Sequence, residues 1–209
     1  MSRFRVARLI AAKDLHVERR SKVVTNQIVP FAGATMVMFA FALEAKAVVR
    51  EDADGNRFTS EILELTAPGL VWLATLFSLL ILVGRSFAVE SEDGALDALR
   101  VAGVDPAAIF WGKSLAMAVQ LLLLEVVLLI AAVLLYGLDV PLEGLALLAV
   151  TLVAATFGLA FVGTLYGGLA AGFAGRESLL PLLVLPVVAP VLIGATRAVE
   201  SALGTGGVA

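Results

Sequence analysis

The stretch AAIFWGKSLAMAVQLLLLEVVLLIAAVLLY, residues 107–136, decides the fold of this chain. About 20 consecutive apolar residues suffice to cross a bilayer as an α-helix. This run exceeds that length, and its strongly polar side chains are limited to Lys113, Gln120 and Glu125. A run of this length and apolarity is typical of a membrane span. We therefore expect residues 107–136 to form a transmembrane helix.

Four further spans are predicted at residues 28–49, 67–83, 142–169 and 179–199. The first is apolar over 28–43 and reaches residue 49 with Glu44 and Lys46 snorkelling at the boundary. The chain of 209 residues is 60% hydrophobic and 16% charged, whereas soluble domains are about 45–50% apolar and about 25% charged. This composition argues against a soluble enzyme, a disordered tail or a nucleic-acid-binding domain. We expect an all-α fold, a polytopic transmembrane bundle of five spans that forms one membrane domain over residues 1–209.

The N-terminal segment concentrates positive charge. Seven of the fifteen Lys and Arg residues lie within the first 22 residues, interleaved with apolar residues at partly helical spacing. Residues 1–24 are therefore predicted to form a basic amphipathic helix in the membrane interface, with its cations toward anionic headgroups. A disordered basic tail is the alternative.

The distribution of Lys and Arg also predicts the orientation. With the N-terminus in the cytoplasm, eleven of these residues lie inside and four outside. An excess of Lys and Arg marks the cytoplasmic side of membrane proteins. We expect a multi-pass protein of the cytoplasmic (inner) membrane with a cytoplasmic N-terminus.

Several kinds of chemistry are disfavoured. The chain has no Cys and a single His, His16, so it offers no thiol nucleophile and no zinc site of its own. Gly112-Lys113-Ser114 is similar to the end of a phosphate-binding loop, but the Gly required five residues earlier is Ala107. Lys113 is instead expected to snorkel toward the cytoplasmic interface. The sequence thus predicts a non-catalytic subunit, with ATP hydrolysis in a separate protein.

Two polar residues, Gln120 and Glu125, lie deep in the 107–136 span. Ionisable residues within a membrane are costly and are functional candidates by default. One hypothesis places Gln120 and Glu125 on a substrate or partner path. The alternative is a protonated Glu125 that is hydrogen-bonded to Gln120 or to a neighbouring helix.

The last two spans carry helix-packing and helix-bending residues. Gly163 and Gly167 form a small-xxx-small pattern that lets helices approach closely. Pro181, Pro186 and Pro190 fall within residues 179–199, and each removes a backbone donor. The prolines predict a kinked span, either partly re-entrant beside a translocation path or simply bent for packing.

The polar segment 84–105 separates the second and third spans. Phe87 and the acidic residues Glu92 and Asp93 precede Gly94, and an apolar pair, Leu96 and Leu99, follows it. Gly94 allows a sharp turn into a short amphipathic helix. Such a helix suits docking into a groove of a soluble partner.

This segment resembles the cytoplasmic loop of the CcmB family, the haem exporter permeases of cytochrome c maturation, within the broader group of ABC-2-type permeases. The resemblance rests on Phe87, on EDGALDAL at 92–99, and on Pro106 and Lys113. RESLLPLLVLPVVAPVLI at 176–193 and APGLVW at 67–72 are similar to the family's Pro-rich span and second-span entry. The similarity runs through nearly the whole chain in matching order.

The resemblance implies a partner ATPase of the CcmA type, bound through segment 84–105, and further partners like the membrane protein CcmC and the haem chaperone CcmE. It implies two permease-type subunits per complex, contact with membrane lipid, no nucleic acid, and no tightly bound cofactor, with haem as the species transported or handled. Family members usually have a sixth span after the Pro-rich one, whereas five are predicted here. An ABC-2-type exporter of a lipid or a drug is the alternative function.

Overall fold

The computed structural model describes most of the chain. The described residues are 2–43, 47–51, 57–92, 94, 98, 101–171 and 176–205. They include one antiparallel pair of strands and six α-helices. Their bounds are α1 Arg3–Ser21, α2 Val29–Leu43, α3 Ile62–Glu92, α4 Pro106–Tyr136, α5 Leu145–Ala170 and α6 Arg176–Ala202.

Five helical stretches of the described residues are long and apolar enough to cross a membrane. They are Val24–Leu43, Ile62–Ala88, Pro106–Tyr136, Leu142–Ala170 and Leu179–Ala202. A π-helical turn, Val24–Ile28, leads into α2, and a 3₁₀ turn, Leu142–Gly144, leads into α5. The predicted all-α polytopic bundle is confirmed.

The ends of α4 show why this helix has its observed length. Asp105 is the N-cap, and its carboxylate accepts a hydrogen bond from the backbone N–H of Ala107 at 2.9 Å. Pro106 follows at the first helical position, where its missing N–H leaves no hydrogen bond unmade. The helix ends where Gly137 adopts a left-handed conformation (φ 65°), which glycine does without steric cost.

The core is formed where α3, α4, α5 and α6 meet, while many outward-facing side chains are large and apolar, as a membrane protein requires. Fully buried residues from these helices include Leu79, Leu121, Leu128, Leu159 and Val184. Helix α2 contacts the C-terminal end of α4, where the Tyr136 hydroxyl donates a hydrogen bond to the carbonyl of Met36 at 2.9 Å.

The predicted N-terminal helix is confirmed as α1, but some of its apolar residues are buried and others are exposed. Ile10, together with Ala7 and Ala11, is buried against α4, whereas Phe4 and Leu9 are exposed. The helix ends at Lys22, which has φ 53° and donates its N–H to the carbonyl of Glu18. Its location in the membrane interface stays a prediction.

Three predicted span boundaries are wrong, namely the end of the first span and both ends of the second. The first span was expected over 28–49, but α2 ends at Leu43, and Ala47–Glu51 is a strand that pairs antiparallel with Arg57–Glu61. The second span was expected over 67–83, but α3 covers Ile62–Glu92, so the first part of segment 84–105 is helical. Hydropathy marks only the apolar part of a helix, whereas backbone hydrogen bonding continues into polar residues at either end.

Candidate functional site

A buried lysine joins three helices at the start of segment 84–105. The side chain of Lys113 on α4 is 1% exposed. Its Nζ lies 3.4 Å from Oδ2 of Asp14 on α1 and donates a hydrogen bond to Oγ of Ser86 on α3 at 3.2 Å. The ammonium also lies 4.8 Å from the centre of the Phe87 ring, a favourable cation–π contact. These residues form what we call the Lys113 junction: Asp14, Ser86, Phe87 and Lys113.

The junction is closed by α1. An added Cβ on Gly112 would lie 2.7 Å from the carbonyl oxygen of Ala7 and from Cβ of Ile10, so only glycine permits this approach of the two helices. At the start of α1, Arg3 pairs with Asp105 at 2.5 Å. Lys113 is therefore buried under α1, which supplies a carboxylate to it, and the expected position of its ammonium near the cytoplasmic interface stays a prediction.

Of the predicted docking residues, Phe87 is the one whose side chain the structure describes. It is buried at the junction. Glu92 is the last residue of α3, and Gly94 has φ 63°, the left-handed turn expected there. Ala98 and Ala102 continue with helical backbone hydrogen bonds to Gly94 and Ala98. Asp93, Leu96 and Leu99 lie outside the described residues, so their docking role stays a prediction.

The glycines of α5 seat this helix against α3. An added Cβ would lie 2.8 Å from Val83 at Gly163, and 2.7 Å from the Phe87 ring at Gly167. The predicted close packing at the small-xxx-small pattern is confirmed. Next to it, a cavity of about 480 Å³ is lined by Phe87, Arg85 and Pro181, among others. The structure thus brings the start of the docking segment and the Pro-rich helix to one cavity.

A second buried polar site lies near the middle of α4. Glu125 is 1% exposed, and its Oε2 lies 2.5 Å from Oγ1 of Thr156 on α5. The same hydroxyl lies 2.6 Å from the carbonyl of Leu152, which can only accept. The Thr156 hydroxyl has one proton and so can donate to only one of these two oxygens. If it donates to the carbonyl of Leu152, its contact with Glu125 is a hydrogen bond only when the carboxyl group of Glu125 is protonated and donates to Thr156. Among the described residues, Oε1 of Glu125 has no hydrogen-bond partner.

Gln120 is not brought together with Glu125. It lines a small polar cavity of about 90 Å³ under α1, with Asp14, Glu18 and Ser86 among the other lining residues. Five positions along a helix place two side chains on different faces. Of the two predicted partners for Glu125, the neighbouring helix is the one observed, and a role of Gln120 and Glu125 on a path stays a prediction.

Pro181, Pro186 and Pro190 all lie within α6, which is continuous from Arg176 to Ala202. This continuity agrees with the packing-helix alternative and contradicts a re-entrant segment. A part for these prolines in a translocation path stays a prediction.

Sequence reasoning missed the partners of both buried polar groups. Asp14 and Ser86 lie far from Lys113 in sequence, and Thr156 appears as an ordinary residue of an apolar span. One signal was available, since Asp14 is one of only two acids among the cations of α1. His16 is exposed, as expected for a surface residue. In the part of the chain that the structure describes, no three His, Asp or Glu residues are grouped as a metal site requires.

The sequence profile of the CcmB protein family matches residues 5–207 of this chain. Heme exporter protein B of Rhodobacter capsulatus is 37% identical over 134 residues, which cover 64% of this chain and 60% of that protein. Heme exporter protein B of Paracoccus denitrificans is 34% identical over 136 residues, covering 64% and 61%. ABC transporter G family member 20 of Dictyostelium discoideum is 34% identical over 134 residues, covering 64% of this chain and 18% of that protein.

The chain thus aligns with about 60% of the length of the heme exporter proteins it matches. The profile match extends across nearly all of the chain and includes the Lys113 junction, the Glu125 site and the Pro-rich helix. This chain therefore belongs to the CcmB family.

Proposed function

We propose that this chain is the membrane permease subunit of an ABC transporter complex for haem export or haem-chaperone release in cytochrome c biogenesis. The match of the CcmB family profile to residues 5–207 carries this proposal. The chain is a non-catalytic subunit, and a separate CcmA-like ATPase hydrolyses ATP. Haem is a species that the complex handles and is not a resident cofactor. A CcmC-like membrane protein, a CcmE-like haem chaperone and a second permease-type subunit complete the complex.

The ATPase docks on segment 84–105, on the cytoplasmic side of the inner membrane, where the N-terminus also lies. The contacts of Phe87 support this location. Its ring packs beneath Lys113 and against Gly167, so a displacement of the docking segment reaches α1, α4 and α5 together. Closely packed side chains transmit such a displacement because protein interiors are dense and poorly compressible.

The first experiment is haem staining of membrane c-type cytochromes in a strain that lacks this gene. The proposal predicts loss of all c-type cytochromes and their return when the chain is supplied on a plasmid. Unchanged c-type cytochromes in the deletion strain would refute the haem function.

A second experiment tests docking. Glu92→Lys and Leu96→Asp are expected to weaken retention of the ATPase in a pull-down of the membrane complex. Glu143→Lys is a matched control, because it makes the same charge change at an exposed residue in the loop between α4 and α5. Full retention of the ATPase by both docking variants would refute docking at this segment.

An ABC-2-type exporter of a lipid or a drug is the second candidate function. The similarity to ABC transporter G family member 20 supports it. A deletion strain with normal c-type cytochromes and altered lipid composition or drug sensitivity would favour this candidate.

A further inference from the structure

A groove of about 570 Å³ lies between α1, α4 and α5, at the end of α4 where the helix begins. Its volume lies within the range of about 300–1,000 Å³ that is typical of small-molecule sites. Its walls are almost entirely apolar, and its charged lining residues are two arginines. The lining residues that matter for its chemistry are Arg3, Arg8, Ala107, Trp111, Phe157 and Phe161.

Aromatic rings from two helices form one wall of the groove. The ring centres of Trp111 and Phe161 are 5.2 Å apart in an edge-on arrangement, and those of Phe157 and Phe161 are 5.9 Å apart. Edge-on pairs are a favourable arrangement of aromatic rings, so the wall is ordered by its own contacts. Even so, Trp111 is 55% exposed. An apolar occupant would cover this ring.

The two arginines at the mouth of the groove differ in their ion pairing. Arg3 is already paired with Asp105. Arg8 is exposed and forms no ion pair within the part of the chain that the structure describes. A guanidinium group binds phosphate through two parallel hydrogen bonds, which makes Arg8 a suitable phosphate ligand.

We propose that the groove binds one anionic phospholipid, whose acyl chain lies along the aromatic wall and whose phosphate is bound by Arg8. The charge of Arg8 above an apolar wall matches a molecule with an anionic head and an apolar chain. Such lipids are abundant at the cytoplasmic surface of membranes, where basic residues attract them. The groove adjoins the end of segment 84–105 through the Arg3–Asp105 pair, but none of its lining residues belongs to that segment. The proposal does not depend on the transported species.

The chain carries its own probe for this site. It has two Trp residues, and Trp72 is buried while Trp111 lines the groove. Trp72→Phe leaves Trp111 as the single tryptophan. The variant is reconstituted into phosphatidylcholine vesicles with a small fraction of phosphatidylglycerol that carries brominated chains, which quench tryptophan on contact. Trp111 is expected to be quenched more by brominated phosphatidylglycerol than by brominated phosphatidylcholine at the same fraction.

Three further variants define the site. Arg8→Gln is expected to lower the preference for phosphatidylglycerol about fivefold, the contribution of one cation near a membrane surface. Arg20→Gln is the matched control on α1, since it makes the same charge change outside the groove and should retain the preference. Ala107→Phe fills the groove from an exposed position and should reduce quenching by both brominated lipids.

Several results would overturn the proposal. Equal quenching by the two brominated lipids would show that the groove has no preference for an anionic lipid. An equal loss of the phosphatidylglycerol preference in Arg8→Gln and Arg20→Gln would show a general charge effect of α1 instead of a site at Arg8. Quenching by free haem at lower concentrations than by lipid would assign the groove to haem instead. If Trp72→Phe fails to fold, native mass spectrometry of the detergent-purified protein gives the same comparison: one phosphatidylglycerol retained, and lost in Arg8→Gln but not in Arg20→Gln.

Discussion

Two polar residues of α4, Lys113 and Glu125, are almost equally buried but are satisfied in different ways. Lys113 contacts a carboxylate, a hydroxyl and an aromatic ring from two other helices. Glu125 contacts one hydroxyl from one helix. The first environment stabilises a charge, and the second suits a neutral acid. The difference indicates that the end of α4 near the docking segment depends on electrostatics, whereas its middle depends on packing.

The largest expected effect comes from removing the carboxylate of the Lys113 junction. Asp14→Ala removes a carboxylate that lies 3.4 Å from the buried ammonium of Lys113. Removing one partner of a buried ion pair is expected to lower the free energy of unfolding by about 3–5 kcal/mol. Thermal unfolding of the detergent-purified protein measures this loss.

Lys13→Ala is the matched control for Asp14→Ala. Lys13 also pairs with Asp14, at 3.0 Å, but it is half exposed, so its removal is expected to cost about 0–1 kcal/mol. Similar losses in Asp14→Ala and Lys13→Ala would show that the buried pair does not stabilise the junction.

The next effect comes from the packing beneath the junction. Gly167→Ala would force its Cβ against Val83 and the Phe87 ring, and overpacking of this kind costs about 1–3 kcal/mol. Gly168→Ala is the control, because its nearest contact would be an ordinary 3.6 Å. Thermal unfolding compares the two, and equal stability would contradict the tight contact at Gly167.

A smaller effect is expected at the middle of α4. Thr156→Val removes the hydroxyl that satisfies Glu125, and hydrogen bonds between membrane helices contribute about 0.6 kcal/mol on average and up to about 1.7 kcal/mol. Thr156→Ser keeps the hydroxyl but loses a buried methyl group, so it measures the packing contribution of the methyl separately from the hydrogen bond. Unchanged stability in Thr156→Val would contradict a stabilising hydrogen bond between Thr156 and Glu125.

The smallest effect is expected for Glu125→Gln. An amide can donate to Thr156 as a neutral carboxyl group does, so the stability should change by less than about 0.6 kcal/mol. Haem staining of c-type cytochromes should be unchanged in a strain that carries this variant. Lost staining with unchanged stability would show that an ionisable group at position 125 is needed for function, and would favour the path hypothesis.

Much of the fold follows from the sequence, because apolar runs of sufficient length have few alternatives to crossing a membrane. Residues 107–136 illustrate this, since the helix begins and ends within one residue of the apolar run. The first apolar run also ends at Leu43, but its extension toward Val49 was wrong, because residues Ala47–Glu51 form a strand and apolarity alone does not distinguish a strand from a helix.

The candidate sites were only half predictable. Glu125 and Lys113 are conspicuous as polar residues in an apolar span, but their partners depend on which helices meet in space. Asp14 pairs with a residue 99 positions away, and no local pattern encodes that contact. Phe87 could be named from the family resemblance, whereas its packing against Gly167 required the structure.

The positions of Lys113 and Tyr136 on α4 have a consequence for the lipid bilayer. The rise of an α-helix separates the two residues by roughly 35 Å along the axis, slightly more than the hydrocarbon thickness of about 30 Å. If Tyr136 marks one interface, the charges of Lys113 and Asp14 lie at headgroup depth at the other. A thicker bilayer would draw this ion pair into hydrocarbon or tilt the helix, so acyl-chain length becomes a variable that acts directly on the junction.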